Sequence, residues 1–191
     1  MDVAGACVGL AASLPILLFA AGLIKLTSWG PVVFGQEREG LGGRRFLMYK
    51  LRTMVPEAEG QIATLRAHSE QDGPAFKMSR DPRVTTIGRM LRKWSIDELP
   101  QLLNVLTGDM SLVGLRPLPT HESRCCELWQ RRRLDVTPGI TGIWQVRSRN
   151  SVSFDEWMRM DIEYVDNRSL WQDLRLMWAT IPAVISCRGA Q

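Results

Sequence analysis

The sequence predicts an α+β fold that is predominantly helical, and three observations lead to this prediction. An uncharged apolar run opens the chain, two short β-rich pieces around a cluster of glycines follow it, and later apolar residues recur mostly at helical spacing. With 191 residues, the chain has the length of one domain with its own core. We therefore divide it into a membrane segment, residues 1–26, and one folded domain, residues 27–191.

The apolar run predicts a helix in a membrane. From Val3 to Ile24 it carries no charge, which matches the roughly 20 apolar residues that cross a bilayer core. It lacks the basic flank and the small-residue cleavage site of a secretory signal. Pro15 at its midpoint predicts a kink, and the Ser13 hydroxyl is placed to bond a freed carbonyl. A kinked span and a hairpin that enters and leaves by one face both stay open at this point.

Four further elements follow the apolar run. The pieces "PVVFGQ" and "RRFLMYKLRTM" flank "EGLGG", and this pattern predicts a β-hairpin. A weakly amphipathic helix is expected over 57–68, with a loop after it. The stretch "TIGRMLRKW", residues 86–94, predicts a helix that lies flat on an anionic membrane surface. Next, "LPQLLNVLTG" predicts an amphipathic helix that ends near Gly108.

The last part of the chain predicts loops and then helices. "GLRPLPT" and "VTPGITGIWQVRSRN" are punctuated by glycine and proline and contain Arg116, Arg147 and Arg149. The segments after them have aromatic residues at helical spacing. We expect these aromatics to pack in the core or at a bilayer interface rather than to form a sugar platform: Trp157, Trp171 and Trp178.

Composition narrows the function classes. The chain has 24 Lys+Arg against 20 Asp+Glu, a net charge of +4, which suits a phosphate-bearing partner. Its four cysteines form no CxxC pair, so neither disulfides nor a zinc site is expected. With only two histidines, a catalytic metal would be a hard ion such as Mg²⁺. No nucleic-acid-binding motif is present, and we expect no nucleic acid partner.

Two adjacent carboxylates, Asp97 and Glu98, stand at the start of the "LPQLLNVLTG" helix. Ser95 and Glu98 fit a capping box, in which no chemistry is needed. The alternative is a functional dyad, because Pro100 interrupts a regular first turn and Arg92 stands just upstream. A carboxylate that faces phosphates across a metal ion can act as a nucleophile or as a ligand.

Four stretches together resemble the bacterial sugar transferase family, the monotopic polyprenyl-phosphate phosphoglycosyl transferases. They are "IKLTSWGPVVFGQEREGLGGRRFLMYKLRTM", "DPRVTTIGRMLRKWSIDELPQLLNVLTGDMSLVGLRPLP", "TPGITGIWQV" and "DIEYVDNRSLWQDLRLMW". The resemblance covers nearly the whole chain, and the motifs keep the family's order. It implies a re-entrant membrane helix broken at Pro15 beside Ser13, with the amphipathic helices arranged around a cytosolic active site.

The resemblance also implies an activity. Asp97 would attack a nucleotide diphosphate sugar, by resemblance a UDP-sugar, release the nucleoside monophosphate and carry the phosphosugar on to polyprenyl (undecaprenyl) phosphate. Glu98 would help to bind Mg²⁺ with Asp97 or deprotonate the lipid phosphate. Further phosphate or nucleotide contacts are expected from seven residues in the family's motifs and in the loops just described: Arg92, Arg116, Pro138, Gly139, Gly142, Arg147 and Arg149.

The expected setting is the cytoplasmic membrane of a bacterium, with the folded domain facing the cytosol and membrane lipid as a partner. A homodimer is kept beside a monomer. The chain departs from the family pattern at three positions: Leu14 separates Ser13 from Pro15, "GLRP" replaces the commoner "GPRP", and Thr137 replaces a basic residue. Two alternatives stay open, namely direct transfer in a ternary complex and a basic binding protein without catalysis.

Overall fold

The computed structural model describes residues 1–147 and 152–186, and helices dominate this part of the chain. The predicted α+β, mostly helical class is confirmed. The elements follow in the order α1 Asp2–Thr27, β1 Val33–Glu39, β2 Arg45–Leu51, α2 Ile62–Leu65, α3 Thr86–Lys93, α4 Gln101–Leu106, β3 Ser111–Val113, α5 Thr120–Ser123, β4 Gly139–Thr141, α6 Ile143–Arg147, α7 Phe154–Asn167 and α8 Leu170–Ile185.

Helix α1 is long and apolar enough to cross a membrane. It is one continuous helix that contains Pro15. Two residues before the proline, the Ser13 hydroxyl donates to the Leu10 carbonyl at 3.3 Å. A proline can bend a helix without ending it, so the re-entrant break at this position stays a prediction.

One face of α1 packs against the folded domain along most of the helix. Near its start, Ala6 lies in a buried cluster with Met48 and Leu102. Near its end, Ala20 and Ile24 lie in another cluster with Leu91. The opposite face stays exposed, although its residues are large and apolar: Val3, Val8, Leu14, Ile16, Leu18, Phe19 and Leu26.

Strands β1 and β2 form the predicted antiparallel hairpin, with Gly35 opposite Tyr49 and Phe34 opposite Lys50. Met48 on β2 is fully buried and belongs to the same cluster as Ala6. Because successive side chains of a strand point to opposite faces, Met48 and Lys50 leave β2 on one side. The hairpin therefore directs the Lys50 ammonium group toward the domain interior.

The structure differs from the sequence prediction in two places. The expected helix over 57–68 is broken into short 3₁₀ and α turns, beginning after Glu57 with its left-handed backbone (φ 62°). The region expected as glycine-rich loops contains a parallel pair, β3 with β4. A Cβ at Gly139 would lie 2.1 Å from the Gly114 amide nitrogen, so only glycine permits this approach.

Helices α7 and α8 confirm the helical end of the described chain. The Tyr164 hydroxyl on α7 donates to Asp173 on α8 at 2.7 Å and joins the two helices. Trp157 is buried in the core, whereas Trp171 and Trp178 on α8 are 63% and 73% exposed. The tryptophans thus divide between core packing and an exposed face.

Candidate active site

The carboxylate pair lies in a short 3₁₀ turn, Ile96–Glu98, between α3 and α4. Ser95 precedes it with a left-handed backbone (φ 55°), and its side chain forms no capping hydrogen bond. The capping-box hypothesis for this Ser95–Glu98 segment is therefore wrong. The unusual backbone of Ser95 and the proline at position 100 turn both carboxylates away from a regular helix start.

Glu98 is held by two cations from distant parts of the chain. Its Oε1 accepts from the Lys50 ammonium at 2.8 Å and from Arg116 Nη2 at 2.9 Å. Burial raises the pKa of Glu98, but the charges of Arg116 and Lys50 outweigh it and hold the pKa well below its usual range. Glu98 is ionised at neutral pH and is a poor proton acceptor, which disfavours its predicted role in deprotonating the lipid phosphate.

Asp97 is placed very differently from its neighbour. It is only 6% exposed, and no hydrogen bond to its carboxylate forms among the residues that the structure describes. Burial raises the pKa of Asp97; the Lys50 charge opposes this shift and the Glu98 charge adds to it. A buried carboxylate without a hydrogen-bond partner is unfavourable in the free protein, so this group is suited to a ligand or a reacting atom.

Arg92 reaches the site from the last turn of α3. Its Nε donates to the Thr53 hydroxyl at 3.0 Å, and its charge acts on both Asp97 and Glu98. One turn earlier, a Cβ at Gly88 would lie 2.0 Å from the Thr53 carbonyl oxygen. The glycine therefore allows α3 to lie close to the end of β2, and this contact places Arg92 beside the dyad.

The loop that carries Arg116 is fixed from two sides. Arg133 Nη2 donates to the Arg116 carbonyl at 2.6 Å and to buried Asp161 at 2.7 Å. Arg38 Nη1, from β1, donates to the Pro117 carbonyl at 2.8 Å. These bonds hold the guanidinium of Arg116 on Glu98, so the ion pair rests on an ordered framework.

The other predicted site residues have different surroundings. Gly139 and Gly142 contact the backbone of Gly114 closely, where a Cβ on either would clash, so a structural role accounts for both glycines. Arg147 is exposed and pairs with Glu163 on α7 at 3.2 Å. A phosphate contact from these residues, or from buried Pro138 beside them, stays a prediction. The prediction for Arg149 falls outside the described residues.

Sequence reasoning missed three residues at this site: Lys50, Thr53 and Arg38. Lys50 stands inside the apolar strand piece "RRFLMYKLRTM", and a lysine that alternation places on a buried face could have been noticed. Thr53 and Arg38 gave no signal of this kind. Their roles depend on contacts with residues far along the chain.

The site suits a hard metal ion only in part. Among residues 1–147 and 152–186, no group of three or more His, Cys, Asp or Glu side chains could hold a metal. The carboxylates of Asp97 and Glu98 provide hard oxygen ligands, and Mg²⁺ commonly takes one or two carboxylates together with substrate phosphates. The residues therefore fit a Mg²⁺ ion that the substrate helps to bind.

Comparison with known proteins identifies the family of this chain. The family model described as bacterial sugar transferase matches residues 1–187. Galactosyl transferase CpsE of Streptococcus agalactiae is 42% identical over 192 residues, which cover all of this chain and 42% of the relative. Exopolysaccharide production protein ExoY of Sinorhizobium fredii is 39% identical over 99% of this chain and 85% of its own length.

A third relative has a more detailed name. The UDP-glucose:undecaprenyl-phosphate glucose-1-phosphate transferase of Caulobacter vibrioides is 43% identical over 202 residues, which cover this whole chain and 70% of the relative. The chain thus spans less than half of CpsE and most of ExoY. What these relatives share with it is the region that contains the dyad.

Proposed function

The chain belongs to the bacterial sugar transferase family, and on this premise we propose that it is a phosphoglycosyl transferase. Its reaction moves a sugar-1-phosphate from a nucleotide diphosphate sugar to polyprenyl phosphate. The Caulobacter relative, named for UDP-glucose and undecaprenyl phosphate, supports a UDP-sugar donor and an undecaprenyl phosphate acceptor. The ExoY relative supports a place in exopolysaccharide synthesis.

The observation that carries this proposal is the asymmetry of the dyad. Glu98 binds Lys50 and Arg116, whereas no protein hydrogen bond to Asp97 forms among the described residues. The ion pair of Glu98 fixes the turn, and the adjacent carboxylate keeps its lone pairs for an electrophile. A nucleophile held in this way needs little reorganisation at the moment of reaction.

In the first step, an Asp97 carboxylate oxygen attacks the phosphorus that bears the sugar. An oxygen–phosphorus bond forms to Asp97, and the anhydride bond to the other phosphate breaks with its electron pair. The nucleoside monophosphate, UMP for a uridine donor, leaves with that pair. The enzyme then carries the phosphosugar as a mixed anhydride with Asp97.

In the second step, a phosphate oxygen of the lipid attacks the same phosphorus. The new bond gives the polyprenyl diphosphate sugar, and the Asp97 carboxylate leaves unchanged. The water-soluble donor and the lipid acceptor thereby use one site in turn. A bound Mg²⁺ would neutralise phosphate charge, with Asp97 and Glu98 as its protein ligands.

The cations around the dyad would bind and orient the phosphates. Lys50, Arg92 and Arg116 each act electrostatically on the Asp97 carboxylate. Phosphoryl transfer depends mainly on positioning and on charge neutralisation, which these groups supply. Glu98 keeps Lys50 and Arg116 in place, so we assign it a positioning role and a share in metal binding rather than a proton transfer.

We further propose that α1 enters the membrane from one side only. Asp2, at its start, accepts from the Leu112 amide at 3.3 Å, and Ile24, about 33 Å along the helix, packs with Leu91. A perpendicular crossing would carry these contacting parts of the folded domain into the bilayer. The exposed apolar face of α1 suits lipid on one side and the domain on the other.

Intact-protein mass spectrometry tests the covalent step. The protein, held in nanodiscs without lipid acceptor, is incubated with Mg²⁺ and a panel of UDP-sugars. We expect a mass gain equal to one phosphosugar with the correct donor, and none in Asp97→Asn. Turnover on addition of polyprenyl phosphate without any adduct would instead indicate direct transfer in a ternary complex.

Absence of both adduct and turnover with every donor would favour a binding protein without catalysis.

The orientation of α1 has a separate test, in which single cysteines replace Asp2 and Lys25 in a chain without its native cysteines. A membrane-impermeant thiol reagent should reach neither position in intact spheroplasts and both positions after lysis. Labelling of one position alone before lysis would indicate a spanning helix.

A further inference from the structure

Arg38, on β1, is a partly exposed cation near the dyad, and no described carboxylate pairs with it. Its Nη1 donates to the Pro117 carbonyl, and its Nη2 donates to the Gln36 side-chain amide oxygen. Its Nε is buried and has no hydrogen-bond partner. No acidic side chain within the described residues lies close enough to form an ion pair with it.

Three of the other arginines around the site and in the core are ion-paired, whereas Arg52 and Arg92 form no ion pair within the described residues. Arg83 binds Asp81, with Nη2 at 2.6 Å, and Arg133 binds Asp161 at 2.7 Å. Arg116 binds Glu98 at 2.9 Å. A largely desolvated guanidinium without a countercharge is unfavourable, so Arg38, unlike Arg116, has its charge available for an anion from outside the chain.

The surroundings of Arg38 strengthen the need for an anion. Burial lowers the pKa of Arg38 to about 9, with the like charge of Arg116 as the next cause. Glu122 and Glu98 oppose this shift from beyond ion-pair distance. The pKa of Glu122 is itself raised by burial, so this carboxyl is a weak countercharge.

Charge balance at the site gives Arg38 a role. Lys50, Arg92 and Arg116 face the two carboxylates of the dyad, which leaves an excess of one positive charge. A diphosphate carries a negative charge on each of its phosphates, and beside a Mg²⁺ ion a cation next to Arg116 would still strengthen its binding through charge-assisted hydrogen bonds. Arg38 is close enough to act electrostatically on Lys50, Arg116 and Glu98 and would supply that cation.

We propose that Arg38 binds a substrate phosphate beside Arg116 and is a further phosphate-binding residue of this site. The inference rests on the proposed function for the identity of the substrate but not for the anion itself. The unpaired Nε and the fork of the guanidinium suit a phosphate oxygen, which accepts charge-assisted hydrogen bonds. The donor diphosphate and the lipid phosphate both have this chemistry.

The test is titration calorimetry of inorganic diphosphate into the intact chain, held in nanodiscs without polyprenyl phosphate. Arg38→Gln removes the charge but keeps an N–H donor for the Pro117 carbonyl, and Arg38→Lys keeps the charge. Arg45→Gln is the matched control, because Arg45 lies on the same hairpin and is half exposed in its ion pair with Glu37.

We expect Arg38→Gln to weaken diphosphate binding about tenfold or more, with Arg38→Lys intermediate and Arg45→Gln unchanged. The melting temperatures should stay within a few degrees of one another. Equal binding by Arg38→Gln and the parent chain would overturn the inference. An equal loss in Arg38→Gln and Arg38→Lys would also overturn it, because a purely structural role of the hairpin would then account for the data.

Two further arms identify the source of the phosphate. The same variants are titrated with UDP and, separately, reconstituted in nanodiscs that contain polyprenyl phosphate. A loss confined to UDP assigns Arg38 to the donor, and a loss confined to the lipid assigns it to the acceptor; either supports the inference. Charge-dependent diphosphate binding in a chain that transfers no phosphosugar would refute the proposed function alone.

Discussion

Two segments of this chain have nearly the same sequence but adopt different local structures. Ser95 to Glu98 reads "SIDE", and Ser153 to Glu156 reads "SFDE". At the second, the Ser153 hydroxyl accepts from the Glu156 amide and the Glu156 side chain accepts from the Ser153 amide, which completes a capping box at the start of α7. At the first, Ser95 is left-handed and caps nothing. The motif alone does not determine which structure forms.

The surroundings explain the difference. Glu156 is exposed and pairs with no cation among the described residues, so its side chain bonds to its own backbone. Glu98 meets Lys50 and Arg116, and these charge-assisted bonds outweigh a capping interaction that is worth about 1 kcal/mol. Pro100 also prevents a regular helix start after Ser95, whereas α7 continues without a proline. A capping motif thus fails to form its cap when cations from other parts of the chain bind its glutamate.

The aspartates of the two segments give the largest expected contrast. Asp97→Asn should lower the rate of adduct formation by about a thousandfold or more, because the amide cannot act as the nucleophile. The free energy of unfolding should change by less than about 1 kcal/mol, since a buried charge is replaced by a neutral isostere. Intact-protein mass spectrometry and urea unfolding measure the two quantities.

Asp155→Asn is the matched control. Asp155 is exposed and accepts from Gln130 at 2.9 Å, so its loss should leave the rate unchanged and cost about 0.5 kcal/mol. If both variants lose activity equally, the functional distinction between the two segments is wrong.

The glutamates of the two segments should give the second-largest contrast, mainly in the free energy of unfolding. Glu98→Gln leaves Lys50 and Arg116 without their shared countercharge, and we expect the free energy of unfolding to fall by about 2 kcal/mol. Glu156→Gln should change it by less than about 0.5 kcal/mol, because glutamine also completes a capping box. Urea unfolding of both variants compares them, and equal losses would contradict the comparison.

The pH dependence of adduct formation sharpens the role of Glu98. Burial raises the pKa of Asp97 and the Glu98 charge raises it further. The acid limb of the pH–rate profile for adduct formation should therefore lie at a higher pH than the usual pKa of an aspartate. Glu98→Gln removes that charge and leaves Lys50 and Arg116 beside Asp97. The limb should then move to lower pH, even as the rate falls. A limb that stays in place or moves to higher pH would show that Glu98 does not set the ionisation of Asp97.

The serines of the two segments give the smallest contrast, again in stability. Ser153→Ala should lower the stability, whereas Ser95→Gly should raise it. Ser153→Ala removes a cap and should cost about 1 kcal/mol, whereas Ser95→Ala should change stability by less than about 0.5 kcal/mol. Ser95→Gly should stabilise the protein by about 0.5 kcal/mol, since glycine adopts a positive φ without strain. Thermal unfolding measures the stability of all three variants. If Ser95→Ala destabilises the protein as much as Ser153→Ala does, Ser95 acts as a helix cap after all.

The elements that depend on local pattern were predictable from the sequence. The hairpin, α1, α3, α4 and the two last helices follow from periodicity and from turn residues that lie within a few positions of one another. The short helix pieces over 58–68 and the pairing of β3 with β4 were not. The first lacks a strong apolar face, and the second joins segments 28 residues apart through a glycine contact.

The sequence by itself determined the candidates for the site, namely the dyad, Arg92 and Arg116, because these residues lie in two neighbouring motifs that resemble those of the family. Only the tertiary structure decided what each carboxylate does. Lys50 is 48 residues from Glu98, and its hairpin must pack beside the turn before the ion pair exists. Charge pairing and burial depend on distance in space, which a linear pattern does not contain; for this reason one "S-x-D-E" segment is a helix cap and the other the candidate active site.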